Sequence, residues 1–258
     1  MAEWRDALGR AVALPAPPRR VVSLCPSITE TVAQLAPGRL VGRTRWCIHP
    51  ASAQAEVAAC GGTKNPDLDA IRALQPDLVL AEKEENRRED VEALAGSLPV
   101  YVFDVLDVDG ALDMLDTLGA LLAREAQAAA MRARIARAWA ALPRAAGTPV
   151  LYLIWRRPWM AAGAQTYIDA VLRRLGLCNV AAALPGRYPE LGAATLATLE
   201  THRVLLSSEP YPFAAKHEAE VQALFPRAHI ERVDGEAFSW YGARMRPAAD
   251  YLAGWLSP

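Results

Sequence analysis

Short apolar runs alternate with amphipathic stretches along this chain, and the two periodicities predict its elements. Runs over 20–24, 40–42, 78–81 and 100–103 predict strands in the first half, and runs over 150–154, 203–207 and 229–233 predict strands in the second. Helical periodicity falls between them, over 27–36, 67–74, 87–95, 167–175, 195–200 and 214–224. Ser27 and Glu30 match the S-x-x-E capping box, which predicts that the first helix opens at Ser27. Thr166 is placed to cap the helix that Gly176 ends.

Between the two halves lies a helical segment over 111–142. In its second half, 124–142, Ala128, Met131, Ile135, Trp139 and Leu142 recur at spacings of three and four and share one face. At full length that half spans ~28 Å, the width of a small domain. Strand–helix alternation on both sides predicts an α/β protein of two lobes, each with a mainly parallel sheet flanked by helices. The expected division is an N-terminal lobe over 1–106, a helical connector over 107–145 and a C-terminal lobe over 146–258. Ligands of open parallel sheets bind outside the carboxyl ends of the strands. The expected site is therefore a cleft between lobes, lined by the loops 25–27, 43–50, 82–86, 155–166, 208–213 and 237–243. A single stiff connecting helix predicts a nearly preformed cleft.

Composition narrows the partners. Apolar residues make up 52% and charged residues 22%, as in a globular protein, and the net charge of −1 lacks the basic excess of a nucleic-acid binder. No apolar run reaches the length of a membrane span, and residues 1–10 lack a signal peptide's apolar core. The chain as written is expected in the cytoplasm, as a monomer. The four cysteines form no C-x-x-C pair, and Cys47-x-His49 offers too few donors for zinc, so no metal site is expected.

Chemistry gathers in the strand-end loops. Trp46, Trp155, Trp159, Trp240 and Tyr241 lie there, either as flat walls for a large planar or apolar ligand or as plugs of small satellite cores. Lys83, Glu84 and Glu85 follow the strand over 78–81, where ligand contact and solvated surface are equal readings. Arg156 and Arg157 suit an anionic group or water. The glycine-rich turn 61–64 lacks P-loop spacing, and no nucleophile stands beside a base and an orienter, so no catalytic residue is assigned.

The runs DALGRAVALPAPPRRVVSLCPSITETVAQL and GGTKNPDLDAIRALQPDLVLAEKEEN, with WRRPWMAAGAQTYIDAVLRRLG and FSWYGARMRP, carry a resemblance over nearly the whole chain. It resembles the helical-backbone (class III) substrate-binding proteins of ABC importers, and is most similar to their cobalamin-binding branch. The resemblance implies two α/β lobes on one long helix and a non-catalytic protein that clamps a cobalamin-like corrinoid, with no intrinsic cofactor. It also implies an ABC permease as partner and a periplasmic or cell-surface setting. Trp240 coincides with a tryptophan that packs on the corrinoid in those relatives, and Trp46 with a tyrosine. Four positions depart from the pattern: Glu82 stands where the relatives carry an aromatic residue, Glu84 and Glu85 where they carry small residues, and Arg88 where they carry a permease-docking glutamate. The expected contacts are Trp46, Trp155, Trp159, Trp240 and Tyr241 as walls, with Lys83, Glu84 and Glu85 as polar contacts and Arg156 opposing them. Alternatives are a ferric siderophore, haem or another metal chelate, and an enzyme using Glu84 and Glu85 in acid–base work on a small substrate.

Overall fold

The computed structural model describes residues 2–256. The chain forms two compact α/β units. The first comprises 1–105, 109–136 and 241–244, and the second 106–108, 137–240 and 245–258.

In the first unit, β1 (Ala2–Arg5) and β2 (Ala11–Leu14) form an antiparallel hairpin. Then follow β3 (Val21–Ser23), α1 (Pro26–Leu35), β4 (Leu40–Arg43), α2 (Ala51–Glu56), β5 (Ala58–Ala59), α3 (Leu68–Ala73), β6 (Leu78–Glu82), α4 (Arg88–Ala95) and β7 (Val100–Phe103). β3 to β7 make a wholly parallel sheet in the order β5-β4-β3-β6-β7. Every residue of β6 is buried, as expected of a strand covered on both faces. Val22, Leu24, Val79, Ala81, Val100 and Val102 meet Ile71, Val91 and Leu94 from the helices on one of those faces. The hairpin was not legible in the sequence. Its turn is held by Asp6, whose Oδ1 accepts the N–H groups of Leu8 and Arg10 at 3.0 and 2.9 Å. Ala7 donates to the Val102 carbonyl at 2.9 Å, which covers part of the β7 edge.

The second unit repeats this plan. Its elements are β8 (Thr148–Trp155), β9 (Met160–Ala161), α7 (Tyr167–Arg174), β10 (Leu177–Asn179), α8 (Ala193–Thr198), β11 (Arg203–Ser207), α9 (Ala215–Leu224), β12 (His229–Val233), α10 (Gly235–Ser239) and α11 (Met245–Leu256). The sheet runs β10-β8-β11-β12, all parallel, with β9 folding back antiparallel on β8. Leu151, Leu153, Val204 and Leu206 pack on Phe213, Val221 and Phe225. Thr166 caps α7 as predicted, accepting the Asp169 N–H at 3.1 Å.

Three expectations need correction. The capping box at Ser27 does not form. Cys25 is the N-cap and Pro26 occupies the first helical turn, where its fixed φ and missing N–H cost nothing. Ser27 and Glu30 are spent elsewhere: Ser27 accepts the Tyr241 N–H at 3.2 Å, and Glu30 pairs with Arg244 at 2.9 Å. The segment over 111–142 is two helices, α5 (Val108–Leu121) and α6 (Glu125–Ala140). They are separated by a turn in which Ala123 takes φ +48°. The two helices pack closely across that break: a Cβ on Gly119 would meet the Ala128 methyl at 2.5 Å, so glycine lets them approach at this point. The loop over 237–243 is also partly helical, since α10 runs through Ser239.

The apolar face of α6 is buried at Ala128, Met131, Ile135 and Trp139. Residues of α6 up to Ala136 belong to the first unit and those from Arg137 to the second. In the second unit the Trp139 indole donates to the Met245 carbonyl at 2.8 Å.

Candidate functional site

Strand order locates the crevices. In the first unit the chain leaves β3 to one side through β4 and β5, then returns to the other side through β6 and β7. Adjacent loops after β3 and β6 therefore turn opposite ways and leave a crevice at the carboxyl ends. The second unit has the same reversal between β8 and β11.

At the second unit's crevice the side chains are aromatic. β8 ends on Trp155, which is 40% exposed, and Trp159 is the last residue of the turn that β9 closes. From the end of β11 come Tyr211 and Phe213. Trp155 meets Tyr211 edge-on with ring centroids 5.6 Å apart, and Trp159 stacks parallel to Phe213 at 6.2 Å. Tyr211 meets Phe213 at 4.8 Å, and both contact the His217 ring at 5.5 and 5.7 Å. His217 is buried and accepts the Ala214 N–H through Nδ1 at 2.9 Å, at the start of α9. Burial, with Lys216 and Arg156 nearby, holds its pKa below the ordinary histidine value. Arg156 is held by Glu220 through two hydrogen bonds of 2.7 and 3.0 Å, and its guanidinium lies 5.9 Å from the Trp159 centroid. Trp240 is buried, with its indole donating to Glu209 Oε1 at 2.8 Å. The Ser239 hydroxyl donates to the same oxygen at 2.6 Å.

The first unit's crevice is built on carboxylates and amides. Glu82, the last residue of β6, is buried. Its Oε2 accepts the N–H groups of Glu84 and Glu85 at 2.6 and 3.0 Å, and Oε1 lies 3.4 Å from the Val105 N–H. Burial raises its pKa to about 7 against those favourable N–H contacts. Asn86 completes the frame: its Oδ1 accepts the Glu82 N–H, and its amide donates to the carbonyls of Leu24 and Thr63. Lys83 is exposed and pairs with Asp104 at 2.6 Å. The Glu84 carbonyl accepts from Lys64. Glu85 is half-buried, and desolvation raises its pKa while Lys64 opposes the shift.

Tyr241 is buried in the same unit, its hydroxyl 3.4 Å from the Cys25 thiol. Gly242 follows at φ +69°, and any Cβ there would collide with the Thr31 hydroxyl, so glycine is required. Trp46 is 58% exposed, with the Arg45 guanidinium 5.8 Å from its ring centroid. A Cβ on Gly62 would crowd the Trp46 indole nitrogen and clash with Asn65 Oδ1, so the glycine turn serves as the floor beside this indole. Cys47 is buried, its thiol accepting from Thr29 at 3.0 Å. Among the described residues no three His, Cys, Asp or Glu side chains converge as a metal site.

The structure thus gathers Trp155, Arg156 and Trp159 in one unit, and Lys83, Glu84 and Glu85 around Glu82 in the other. Trp46 stands out from its loop, while Trp240 and Tyr241 are packed in. Sequence reasoning missed Tyr211, Phe213, His217 and Glu209. Tyr-Pro-Phe immediately after a strand was the available signal, an aromatic pair in a loop at a carboxyl end.

A family model described as periplasmic binding protein matches residues 21–222. The chain is 28% identical over 214 residues to a cobalamin-binding protein of Halobacterium salinarum. That match takes in 80% of this chain and 56% of the relative, so the chain spans little more than half the relative's length. Among solved structures it is similar to the periplasmic vitamin B12 binding protein of Vibrio cholerae, with TM-score 0.78 and 17% identity, covering 94% of this chain and 98% of that one. It is also similar to a periplasmic haem binding protein of Pseudomonas aeruginosa, with TM-score 0.74 and 23% identity, covering 92% of each chain. No helix among the described residues is long and apolar enough to cross a membrane. Nothing in these likenesses supports the cytoplasmic placement expected from the first residues.

Proposed function

Since the chain belongs to the periplasmic binding protein family, we propose that it is a non-catalytic binding protein for a cobalamin-like corrinoid. The observation that carries this reading is the pair of exposed indoles, Trp46 and Trp155, at the carboxyl ends of the parallel strands in their units. An indole left half in water at that end is a cost to the free protein that a large apolar ring would relieve. The Halobacterium relative, named for cobalamin binding, supports the corrinoid over other planar ligands.

Trp155 and Trp159 supply the apolar wall in the second unit, with Trp240 held in its orientation by Glu209. Arg156, held by Glu220, acts there through its charge and its contact with Trp159. In the first unit Trp46 supplies the exposed ring, Tyr241 the packed support beneath the crevice, and Lys83, Glu84 and Glu85 the polar edge. The partner is an ABC permease and the setting periplasmic or cell-surface, a reading supported by the family's description as periplasmic binding protein.

Mixing the purified protein with cobalamin and following the corrin absorbance, with calorimetry alongside, tests the reading. Saturable binding is expected. Absence of binding at tens of micromolar, together with tight binding of haem or a ferric siderophore, would transfer the protein to the metal-chelate reading. The Pseudomonas structure favours haem within that second reading. Failure of every chelate would return attention to a small substrate and the carboxylates Glu84 and Glu85.

A further inference from the structure

Tyr211 stands beside the second unit's crevice, four residues past Ser207 and half-buried. Its hydroxyl lies 3.3 Å from Nε2 of His217. Which of the two donates follows from the other side of the imidazole. Nδ1 accepts the Ala214 N–H, and a neutral imidazole carries a single N–H, so the proton sits on Nε2. His217 is therefore the donor and the Tyr211 oxygen the acceptor. The lowered pKa of His217 keeps the ring in that neutral form near neutral pH.

A second donor reaches the same oxygen. The Arg156 guanidinium, fixed by Glu220, lies near the Tyr211 hydroxyl, and a guanidinium has only donors to offer. Both partners approach the phenol through its lone pairs. Its own hydrogen is thereby left without an acceptor among the described residues. This spare donor lies beside Trp155, whose half-exposed ring meets Tyr211 edge-on.

We infer that Tyr211 is a ligand-binding residue whose hydroxyl donates a hydrogen bond to an acceptor oxygen on the rim of the bound macrocycle. The ligand group is a carboxamide or a carboxylate oxygen, which one donor serves equally well. His217 and Arg156 are positioning residues: they fill the phenol's acceptor sites and so direct its hydrogen outward. This inference rests on the corrinoid or chelate reading of the site.

Tyr211→Phe removes the donor and keeps the ring against Trp155, Phe213 and His217. Its affinity for cobalamin should fall about three- to tenfold, the equivalent of one neutral hydrogen bond. Trp155→Ala serves as the control for loss of the apolar wall. In a second measurement, 3-fluorotyrosine at position 211 should show a 19F shift on ligand addition, a readout that stands even where Tyr211→Phe folds poorly. The same pair of measurements with haem, which carries carboxylates in place of carboxamides, tells the two acceptors apart. If wild type binds cobalamin or haem but Tyr211→Phe binds equally well and the 19F signal is unmoved, the inference is overturned and the proposed function stands. If wild type binds neither, the macrocycle reading fails and takes the inference with it.

Discussion

β6 and β11 occupy the same place in their sheets, each beside the strand at which the chain reverses direction, yet they end in different chemistry. Each terminal residue pins the loop that follows. Glu82 does so with a buried carboxyl that accepts the N–H groups of Glu84 and Glu85. Ser207 does so with a hydroxyl that donates to the Glu209 carbonyl at 2.5 Å and accepts from Tyr152 at 3.0 Å. The carboxyl reaches two residues of backbone but brings an ionisable group into the protein interior. The hydroxyl holds less and titrates nowhere near neutrality. The polar anchor leaves a loop of Lys83, Glu84 and Glu85; the compact one leaves room for the aromatic cluster of Trp155, Trp159, Tyr211 and Phe213. The same loop-anchoring task thus has an ionisable solution in one unit and an apolar surround in the other. Of the two anchors, only Glu82 should feel pH.

Removing the carboxyl anchor should have the largest effect. Glu82→Ala leaves the N–H groups of Glu84 and Glu85 without their acceptor and opens a void at the end of β6. A loss of about 3 kcal/mol in urea unfolding at pH 5 is expected. A loss below half of that would mean the loop is held by Asn86 alone. The pH dependence comes next. Burial raises the Glu82 pKa from 4.5 to about 7, so the folded state binds this proton more tightly than the unfolded chain does. Its stabilising effect is complete below pH 4.5 and is lost as pH rises towards 7, a decline of up to about 3 kcal/mol. Glu85, also raised by burial, adds in the same direction. Glu82→Gln should flatten this slope, whereas Ser207→Ala should leave it intact; an unchanged slope in Glu82→Gln would move the titration to another group.

The two crevices were unequally legible in the sequence. Parallel strands, their order of appearance and the loops at their ends followed from apolar runs at 78–81 and 203–207. Those runs report burial directly, and β6 and β11 match them nearly residue for residue. Trp155 and Trp159 were visible as aromatic residues in a loop. What stayed hidden depends on partners distant in sequence. Glu30 looked like a capping residue because Ser27 stands three positions before it, but Arg244 is 214 residues away and no local pattern announces it. Glu82 read as the start of a charged loop, and only the fold shows it turned inward under the backbone of Glu84 and Glu85. The break between α5 and α6 carried no proline or glycine at Ala123 itself. It comes with a close contact between Gly119 and Ala128, which spacing alone does not encode.

Smaller effects sharpen the contrast further. Ser207→Ala removes an acceptor for Tyr152 and a donor to Glu209 from a buried position, and should cost about 1–2 kcal/mol at any pH from 5 to 8. A pH-dependent loss there would break the proposed difference between the anchors. The smallest effect belongs to the exposed pair beside the carboxyl anchor. Lys83 reaches Asp104 at 2.6 Å, but its side chain is half in water, where the Coulomb gain is screened and the lysine stem loses entropy on being held. Lys83→Met should therefore change unfolding free energy by about 0.5 kcal/mol or less, with the difference shrinking as salt is raised. A larger, salt-insensitive loss would mean that Asp104 depends on Lys83 as a buried partner, and that the first unit's loop is held by a pair of ionic contacts in addition to Glu82.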